Sequence, residues 1–417
     1  MPARTSTNYC DREENDTRRI PETLCLPQAH LGRFQRLHVL VKNEAMAVLS
    51  VDEVLALRMR NLLLGTPGTR TPAEVVLWMG ATQAQDLASG EWSFGVRCAG
   101  LTQADVHQAT VDRQILRTWP MRGTVHFVPP ADAKWMLEVT GARALAGAAG
   151  RRAQLGLTDA IVTKAAKVLH DALSGGRSMT RGECVALLID AGVHTASEHG
   201  YHLLWYASQT GVTCIGPQQG KEQTFVLLDD WVPTPNILGR DEALSTLAIR
   251  YFRSHGPATL KDFVGWTGLT VGDAKRGIEL AEEILTTVQT VSGPMICSKA
   301  SLDDNFANMT RDEELLLLPG FDEYLLGYKD RSAMISAENF NEIIPGGNGV
   351  FKPTIVANGR VIGTWKRTIK KQQVEMQAIP FSPFTQRQHQ AFSTASHRYA
   401  KYLSLEPKVS ASAPKTT

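Results

Sequence analysis

The chain has 417 residues, of which 43% are hydrophobic, and its formal net charge is only +2. Because this length exceeds what one hydrophobic core usually supports, we expect about two to four packed units. The near balance of charges excludes a polyanion-binding surface produced by bulk charge, so such a surface requires local clusters of Lys and Arg. No apolar run approaches the roughly 18 residues that cross a bilayer, and no membrane association is expected.

The cysteines are widely spaced and form no Cys-x-x-Cys pair. They are Cys10, Cys25, Cys98, Cys184, Cys214 and Cys297. This spacing argues against a zinc ribbon and against a disulfide framework. We therefore expect no metal and no cofactor, and a reducing cytoplasmic location.

Both ends of the chain differ in composition from a packed domain. Residues 1–45 mix charged and polar residues with scattered apolar ones and lack the apolar core of a secretion signal. We interpret them as a poorly ordered extension or as an over-extended start, since Met46 directly precedes the first clear helix. The tail over 404–417, rich in Ser, Ala, Pro and Lys, is predicted to be disordered.

The first folded unit is predicted to begin with helices and to end with a strand. Helix starts are predicted at Ser50, Thr71, Thr102 and near Thr110. The second helix is expected to stop near Gly80. Polar and apolar residues alternate over Thr124–Val128, which predicts a strand after a Gly turn. Short helices followed by a hairpin are the outline of a winged helix-turn-helix.

This order of elements recurs. In the second unit, elements are predicted from Thr180 to Ile189 and over 201–208, 211–216 and 224–228. In the third, helices that start at Thr259 and Thr270 are joined by a turn at Gly268. Two capped helices around a Gly turn are typical of a helix-turn-helix, although purely structural helix pairs share this pattern.

After about residue 301 the composition favours strands. They are predicted over 315–318, 324–328, 354–357 and 360–365. Asn348-Gly349 and Asn358-Gly359 favour hairpin turns, because both turn positions require positive φ. These features predict a small, strongly curved sheet or barrel. It carries a basic cluster, Arg360, Lys366, Arg367, Lys370 and Lys371, which suits DNA phosphates or equally a solvated edge strand.

The candidate chemistry lies in the loop after the second helix. Gln83 and Gln85 are separated by one small residue, and they point to the same side only if the backbone is extended. A carboxamide neither titrates nor attacks, but it can hold a water and orient a substrate edge. By themselves, both residues are better explained as solvated loop residues, and only segments further along the chain change this interpretation.

Three segments together carry a family resemblance. They are Gln83-Ala84-Gln85, the run from Leu116 to His126 and the run from Leu318 to Arg331. In this order they resemble the bacterial AlkZ/YcaQ-type winged-helix DNA glycosylases, and the resemblance extends over residues 46–402. The second and third segments are specific, whereas a bare Gln-x-Gln is not.

The resemblance implies an α+β fold of tandem winged helix-turn-helix units in a C-shape, with a C-terminal β-barrel and DNA in the concave channel. Units are expected at 1–45 (extension), 46–150, 151–238 and 239–300 (winged helices), 301–403 (barrel) and 404–417 (tail). It also implies hydrolysis of the N-glycosidic bond of alkylated purines, in some members within interstrand crosslinks. The Gln-x-Gln form matches the AlkZ-like branch, whose members often accompany biosynthesis of DNA-alkylating natural products.

Gln83 and Gln85 are accordingly assigned as catalytic residues that hold water and stabilise an oxocarbenium-like state. Asp86 is an alternative base, ranked second because the next residue of an extended loop points away. The predicted DNA-binding residues are Arg117, Arg122, Thr124, His126, Lys275, Arg276, Lys366 and Arg367. Three alternatives stay open: a hydrogen bond of His126 within its hairpin, a structural Arg122–Asp132 contact and a buried Asp322–Arg331 ion pair.

Two alternative functions are compatible with these sequence features. The first is a monofunctional, metal-independent glycosylase acting on bulky or crosslinking N7-alkylguanine in double-stranded DNA, for repair or self-resistance, as a monomer at the bacterial nucleoid. The second is a non-catalytic winged-helix protein, either a transcriptional regulator or a lesion-sequestering resistance protein. Both predict salt-dependent duplex binding, but only the first predicts release of a free alkylated base.

Overall fold

The computed structural model describes residues 48–65, 68–193, 197–302, 315–347 and 349–412, so the predicted extension over 1–45 lies outside the described residues. The first elements are α1 (Val51–Asn61), α2 (Pro72–Met79), β1 (Thr82–Gln83), α3 (Leu87–Gly95), α4 (Gln103–Val111), β2 (Leu116–Met121) and β3 (Thr124–Val128). The capping boxes at Ser50, Thr71 and Thr102 are formed. The helix predicted near Thr110 is wrong, because Thr110 belongs to the last turn of α4 and β2 follows.

The next elements are α5 (Ala133–Gly147), α6 (Ala149–Gln154), α7 (Asp159–Leu173), β4 (Ser178–Thr180), α8 (Arg181–Asp190), α9 (Ser197–Gln209), β5 (Thr213–Gln219), β6 (Glu222–Leu227) and α10 (Leu228–Trp231). The helices and strands predicted for this segment are present. Six strands form one sheet in the order β1-β3-β2-β5-β6-β4. β2 and β5 meet antiparallel at Arg117 and Ile215, so the hairpins of the first two predicted units share a sheet.

The third segment contains α11 (Arg240–His255), α12 (Leu260–Thr267), α13 (Val271–Glu279), β7 (Leu285–Thr290) and β8 (Gly293–Ser298). Gly268 ends α12 in the left-handed conformation, with φ of 76°, and Thr270 caps α13. The predicted helix pair is therefore formed. The winged-helix description of all three units stays a prediction.

The last elements are β9 (Leu316–Leu318), α14 (Glu323–Leu326), α15 (Phe340–Ile343), β10 (Thr354–Ala357), β11 (Arg360–Ile369), β12 (Gln373–Pro380), α16 (Gln386–Tyr402) and β13 (Glu406–Ala411). Five strands pair in the order β13-β12-β11-β10-β9. Asn358 and Gly359 have positive φ in the turn between β10 and β11, as predicted. Asn348 lies outside the described residues.

Three expectations for this region are wrong. Within the described residues the sheet is open, because β9 and β13 do not pair and α16 packs against strands of the sheet. Residues 324–328 do not form a strand, because Asp322 accepts a hydrogen bond from the Tyr324 N–H (2.9 Å) and caps α14. Part of the tail predicted to be disordered forms β13, parallel to β12.

Buried apolar side chains from α1 to α16 form one continuous cluster. Its largest members include Trp92, Trp135, Trp266 and Trp365. The thiols of Cys98, Cys184, Cys214 and Cys297 are free and buried. None of the helices in the described ranges is both long and apolar enough to cross a membrane.

Candidate active site

The Gln-x-Gln segment is held between two helices. Gly80 ends α2 with φ of 80°, and its N–H donates to the Val76 carbonyl (2.8 Å). The chain then pairs with β3, where Gln83 lies opposite His126. Asp86 caps α3 by accepting from the Ser89 N–H (3.2 Å). The backbone is thus extended at Thr82 and Gln83 and bends at Gln85, and Asp86 has a structural role.

Backbone donors fix the orientation of both carboxamides. The Oε1 atom of Gln83 accepts from the Gln85 N–H (2.9 Å), and the Oε1 atom of Gln85 accepts from the Val125 N–H (3.1 Å). Each carbonyl oxygen keeps a second lone pair, and each NH₂ group keeps two donors. In the described part of the chain neither NH₂ group has a protein acceptor. Both amides therefore retain hydrogen-bonding capacity for a water or a substrate.

Both glutamines line a cavity of about 370 Å³, although Gln83 is only 8% exposed and Gln85 is solvent-exposed. Its other lining residues are Arg122, Thr124, Asp262, Gly265, Phe321, Leu326, Tyr328, Lys329, Arg331, Gly349 and Phe351. Three cationic side chains and several aromatic rings thus surround the amides. This cavity, called the glutamine cavity below, offers both charge and apolar surface to a ligand.

Glu323 lies beneath the glutamine loop and was not predicted from the sequence. Its side chain is 1% exposed, its Oε1 atom accepts from the Gln83 N–H (2.9 Å), and its Oε2 atom accepts from the Trp266 Nε1–H (2.8 Å). The carboxylate thereby ties β1 to α12. The only sequence indication was its place in the third family segment.

The charge state of Glu323 follows from its neighbours. Burial by itself raises the pKa, but the adjacent His255, with Nε2 3.5 Å from Oε2, and the nearby His126 and Arg122 lower the pKa of Glu323 to about 2. The carboxylate is therefore ionised at neutral pH. A negative charge lies directly behind the backbone of Gln83.

His126 is fully buried, so the structure places it under the loop and not on an open DNA-facing surface. Arg122 Nη2 donates to His126 Nε2 (3.2 Å), which leaves Nδ1–H to donate to the Thr124 carbonyl (2.8 Å). Burial lowers the pKa of His126 to about 4, so the ring is neutral at physiological pH. The alternative of a hydrogen bond within the hairpin describes this histidine correctly.

Near the glutamines lie the other three DNA-binding residues predicted around β2 and β3, namely Arg117, Arg122 and Thr124. Arg122 donates to the carbonyls of Gly265 and Trp266, and Thr124 lines the glutamine cavity beside it. The proposed Arg122–Asp132 contact is wrong, because Asp132 pairs with Arg250 (2.6 Å).

Arg117 is mostly buried and donates to the Ala84 carbonyl (3.3 Å). Burial lowers the pKa of Arg117 to about 10, which still leaves the guanidinium charged. It lines a smaller cavity of about 170 Å³ together with Gln85. A positive charge therefore lies on the second side of the glutamine loop.

The remaining predicted DNA-binding residues divide into two groups. Lys366 and Arg367 of β11 line a cavity of about 850 Å³ that also contains Asp86, called the basic cavity below. Lys275 and Arg276 are exposed on α13, and Arg276 pairs with Asp241 (2.7 Å). Neither lines the glutamine cavity or the basic cavity. The structure thus brings only the β11 pair close to the loop.

The predicted Asp322–Arg331 ion pair is wrong. Asp322 instead forms a buried, two-pronged pair with Arg97, with Nη1–Oδ2 and Nη2–Oδ1 distances of 2.8 and 2.9 Å. Arg331 donates from Nε to the Leu325 carbonyl (2.6 Å) and lines the glutamine cavity. Arg331 and Lys329 are thus cationic site residues that sequence reasoning missed.

Among the described residues, no group of three or more His, Cys, Asp and Glu side chains is arranged to hold a metal ion. The polar groups at the loop are amides, a buried carboxylate and cationic side chains. This set can bind a polar ligand that also carries anionic groups.

Comparison with known proteins assigns the family. A family model for "DNA glycosylase AlkZ-like" matches residues 76–402. A relative from Streptomyces sahachiroi, named "Interstrand DNA cross-link repair glycosylase", is 27% identical over 330 residues, covering 75% of this chain and 87% of the relative. The solved structure of Streptomyces sahachiroi DNA glycosylase AlkZ has the same fold, with a TM-score of 0.73, 23% identity and coverage of 87% of this chain and 100% of that one. The chain therefore belongs to the AlkZ-like family of DNA glycosylases.

Proposed function

We propose that this enzyme hydrolyses the N-glycosidic bond of alkylated purines in double-stranded DNA, chiefly bulky or crosslinking N7-alkylguanine adducts. The observation that carries the proposal is the convergence of the Gln83 and Gln85 amides with cationic side chains on one cavity. The similarity to a cross-link repair glycosylase supports the choice of substrate. The protein acts as a monomer at the bacterial nucleoid, in repair or in self-resistance.

Ordinary glycosidases use one carboxylic acid to protonate the leaving group and a carboxylate to attack or to activate water. An N7-alkylated guanine already carries a positive charge, so its departure requires no proton. What remains is to place water against a sugar that becomes cationic. Well-placed hydrogen-bonding groups each contribute roughly 10²–10³-fold to a rate in this way.

The amides are suited to that task. A nucleophilic water must turn its oxygen to the sugar, so its O–H groups donate hydrogen bonds to the protein. The second lone pair of each Oε1 atom, in Gln83 and in Gln85, accepts such a hydrogen bond. The neutral alkylated base leaves with the electron pair of the glycosidic bond, the water oxygen forms the new bond to the sugar, and the surplus proton of that water passes to solvent. Glu323 acts through Gln83 as a positioning residue, because it fixes the backbone N–H of the loop. Its negative charge also favours a cationic transition state.

The cations hold the substrate. Lys329 and Arg331 of the glutamine cavity, and Lys366 and Arg367 of the basic cavity, bind phosphates of the damaged strand. Arg117 also braces the loop through the Ala84 carbonyl, and Arg122 links His126 of β3 to the carbonyls of α12. Thr124 contributes its hydroxyl to the wall of the cavity.

The test is single-turnover release of base from an oligonucleotide that carries one defined N7-alkylguanine, followed as alkali-labile sites. We expect Gln83→Ala and Gln85→Ala each to slow release by tenfold or more, while duplex affinity stays near the wild-type value. Gln372→Ala, an exposed glutamine between β11 and β12, is the matched control. Unchanged release in both loop variants refutes the assignment, and duplex binding without any release by the wild type favours the non-catalytic DNA-binding protein.

A further inference from the structure

Phe321 has an unusual backbone conformation. Its φ is 62°, in the left-handed region that bulky residues avoid because Cβ crowds the following carbonyl. The preceding Gly320 packs closely, since a Cβ at that position would lie 2.8 Å from the Phe351 carbonyl oxygen. A glycine at position 321 would adopt the turn without strain, yet the chain places an aromatic ring there.

The neighbours of Phe321 hold the strained turn in place. Leu318, three residues before it, pairs with Thr354 in the sheet. Asp322, directly after it, is held by the buried guanidinium of Arg97. Strain that a surrounding structure maintains in this way is concentrated at functional sites.

The ring of Phe321 lies where two cavities meet. Phe321 and Phe351 line both the glutamine cavity and the basic cavity, with ring centroids 6.1 Å apart and planes tilted by 51°. The Arg331 guanidinium lies 5.0 Å from the Phe351 centroid. Phe351 is mostly buried and already carries a cation, whereas Phe321 is only partly buried. The turn thus presents an aromatic ring to both the glutamine cavity and the basic cavity.

We propose that Phe321 is a stacking platform for the damaged base, selective for planar, positively charged heteroaromatic rings. This rests on the proposed function. The face of a phenyl ring attracts a cation placed over it, and an N7-alkylated purine is both flat and cationic, whereas an undamaged purine is neutral. A bulky substituent on N7 then extends past the ring into the larger basic cavity.

The experiment compares single-turnover base release from two duplexes, one with N7-methylguanine and one with an N7-guanine adduct bearing an aromatic group. The variants are Phe321→Leu, Phe321→Trp and Phe321→Gly, with Phe381→Leu as control because this partly buried Phe lines neither cavity. We expect Phe321→Leu to lose about tenfold on both substrates, with the larger loss on the bulky adduct, whereas Phe321→Trp stays within about threefold of wild type.

The Phe321→Gly variant distinguishes a role in stacking on the base from a role in packing of the fold. It removes the ring but relieves the backbone strain, so thermal stability should stay within a few degrees of the wild type while release slows as in Phe321→Leu. A mere packing residue would lose stability and activity together, and that result overturns the platform. Wild-type rates in Phe321→Leu also overturn it. If the wild type releases neither base, the proposed function fails instead.

Discussion

Contacts of single side chains fix the uncharged motif that we propose to be catalytic. The Gln83 N–H donates to a carboxylate, and its Oε1 atom accepts from the Gln85 N–H, so both ends of this residue are fixed. Such fixation matters because displacement of a catalytic group by about 1 Å can lower a rate by about 100-fold. Glu323 supplies both the fixation and a nearby negative charge.

Replacing Glu323 tests this arrangement. In Glu323→Gln one oxygen must serve two N–H donors, from Gln83 and Trp266, so one donor is left buried and unpaired. We expect a stability loss of about 1–3 kcal/mol and release slowed about tenfold at a temperature where both proteins are fully folded. Glu91→Gln replaces another buried carboxyl group, which contacts His107 (2.7 Å), and should lose stability without slower release.

The stability difference between the wild type and Glu323→Gln should depend on pH. Because the folded-state pKa of Glu323 lies near 2, below the ordinary value of 4.5, its ionised form stabilises the fold above pH 4.5. This contribution is lost as the pH falls from 4.5 toward 2. Chemical denaturation at pH 7 and pH 3.5 should show the stability gap between wild type and Glu323→Gln narrowing by about 1 kcal/mol at the lower pH. An unchanged gap would mean that the charge does not stabilise the fold.

The sequence predicted the starts of several helices correctly but missed the short or fully buried strands. The caps at Ser50, Thr71 and Thr180 were predicted because an N-cap and its partner lie three residues apart, so the information is local. β2 was missed because all six of its residues are buried and no alternation exists, and because its Pro120 lies at an irregularity in pairing. β1 has two residues and exists only through pairing with β3.

β13 offers a test of the corrected C-terminal sheet. A chain ended after Ser404 removes β13 and leaves the edge of β12 unpaired, so we expect a stability loss of a few kcal/mol and a greater tendency to aggregate. A chain ended after Ser412 keeps β13 and should match the wild type. Thermal unfolding and light scattering measure both effects. Equal behaviour of the two truncated proteins would mean that β13 contributes nothing.

The folded chain brings segments that are far apart in the sequence together at one site. The resemblance to a family predicted Gln83 and Gln85, because that motif is contiguous. It could not predict the roles that we propose for Phe321 and Glu323, because these depend on contacts between distant segments, such as the Gln83–Glu323 bond across 240 positions. Among the cations, Lys366 and Lys275 are alike in the sequence, and only the folded chain shows which of them approaches the loop.

Salt dependence of duplex binding distinguishes these cations. Removing one side chain that binds a phosphate should reduce the slope of log K against log salt by about 0.9. We expect Lys366→Ala to lower the slope by about this amount, measured by fluorescence anisotropy between about 50 and 200 mM salt. Arg276→Ala should change it less, because Asp241 already neutralises that guanidinium. A larger effect of Arg276 would place the DNA along α13 instead.

The bond between the Gln83 N–H and Glu323 has a consequence for biosynthesis. A nascent chain has no partner for that N–H until residue 323 has left the ribosome, long after the glutamines themselves have emerged. Unfinished polypeptides and early-termination products therefore cannot hold the loop in its working shape. The glutamine loop of this DNA glycosylase therefore gains its full set of contacts only after synthesis has passed residue 323.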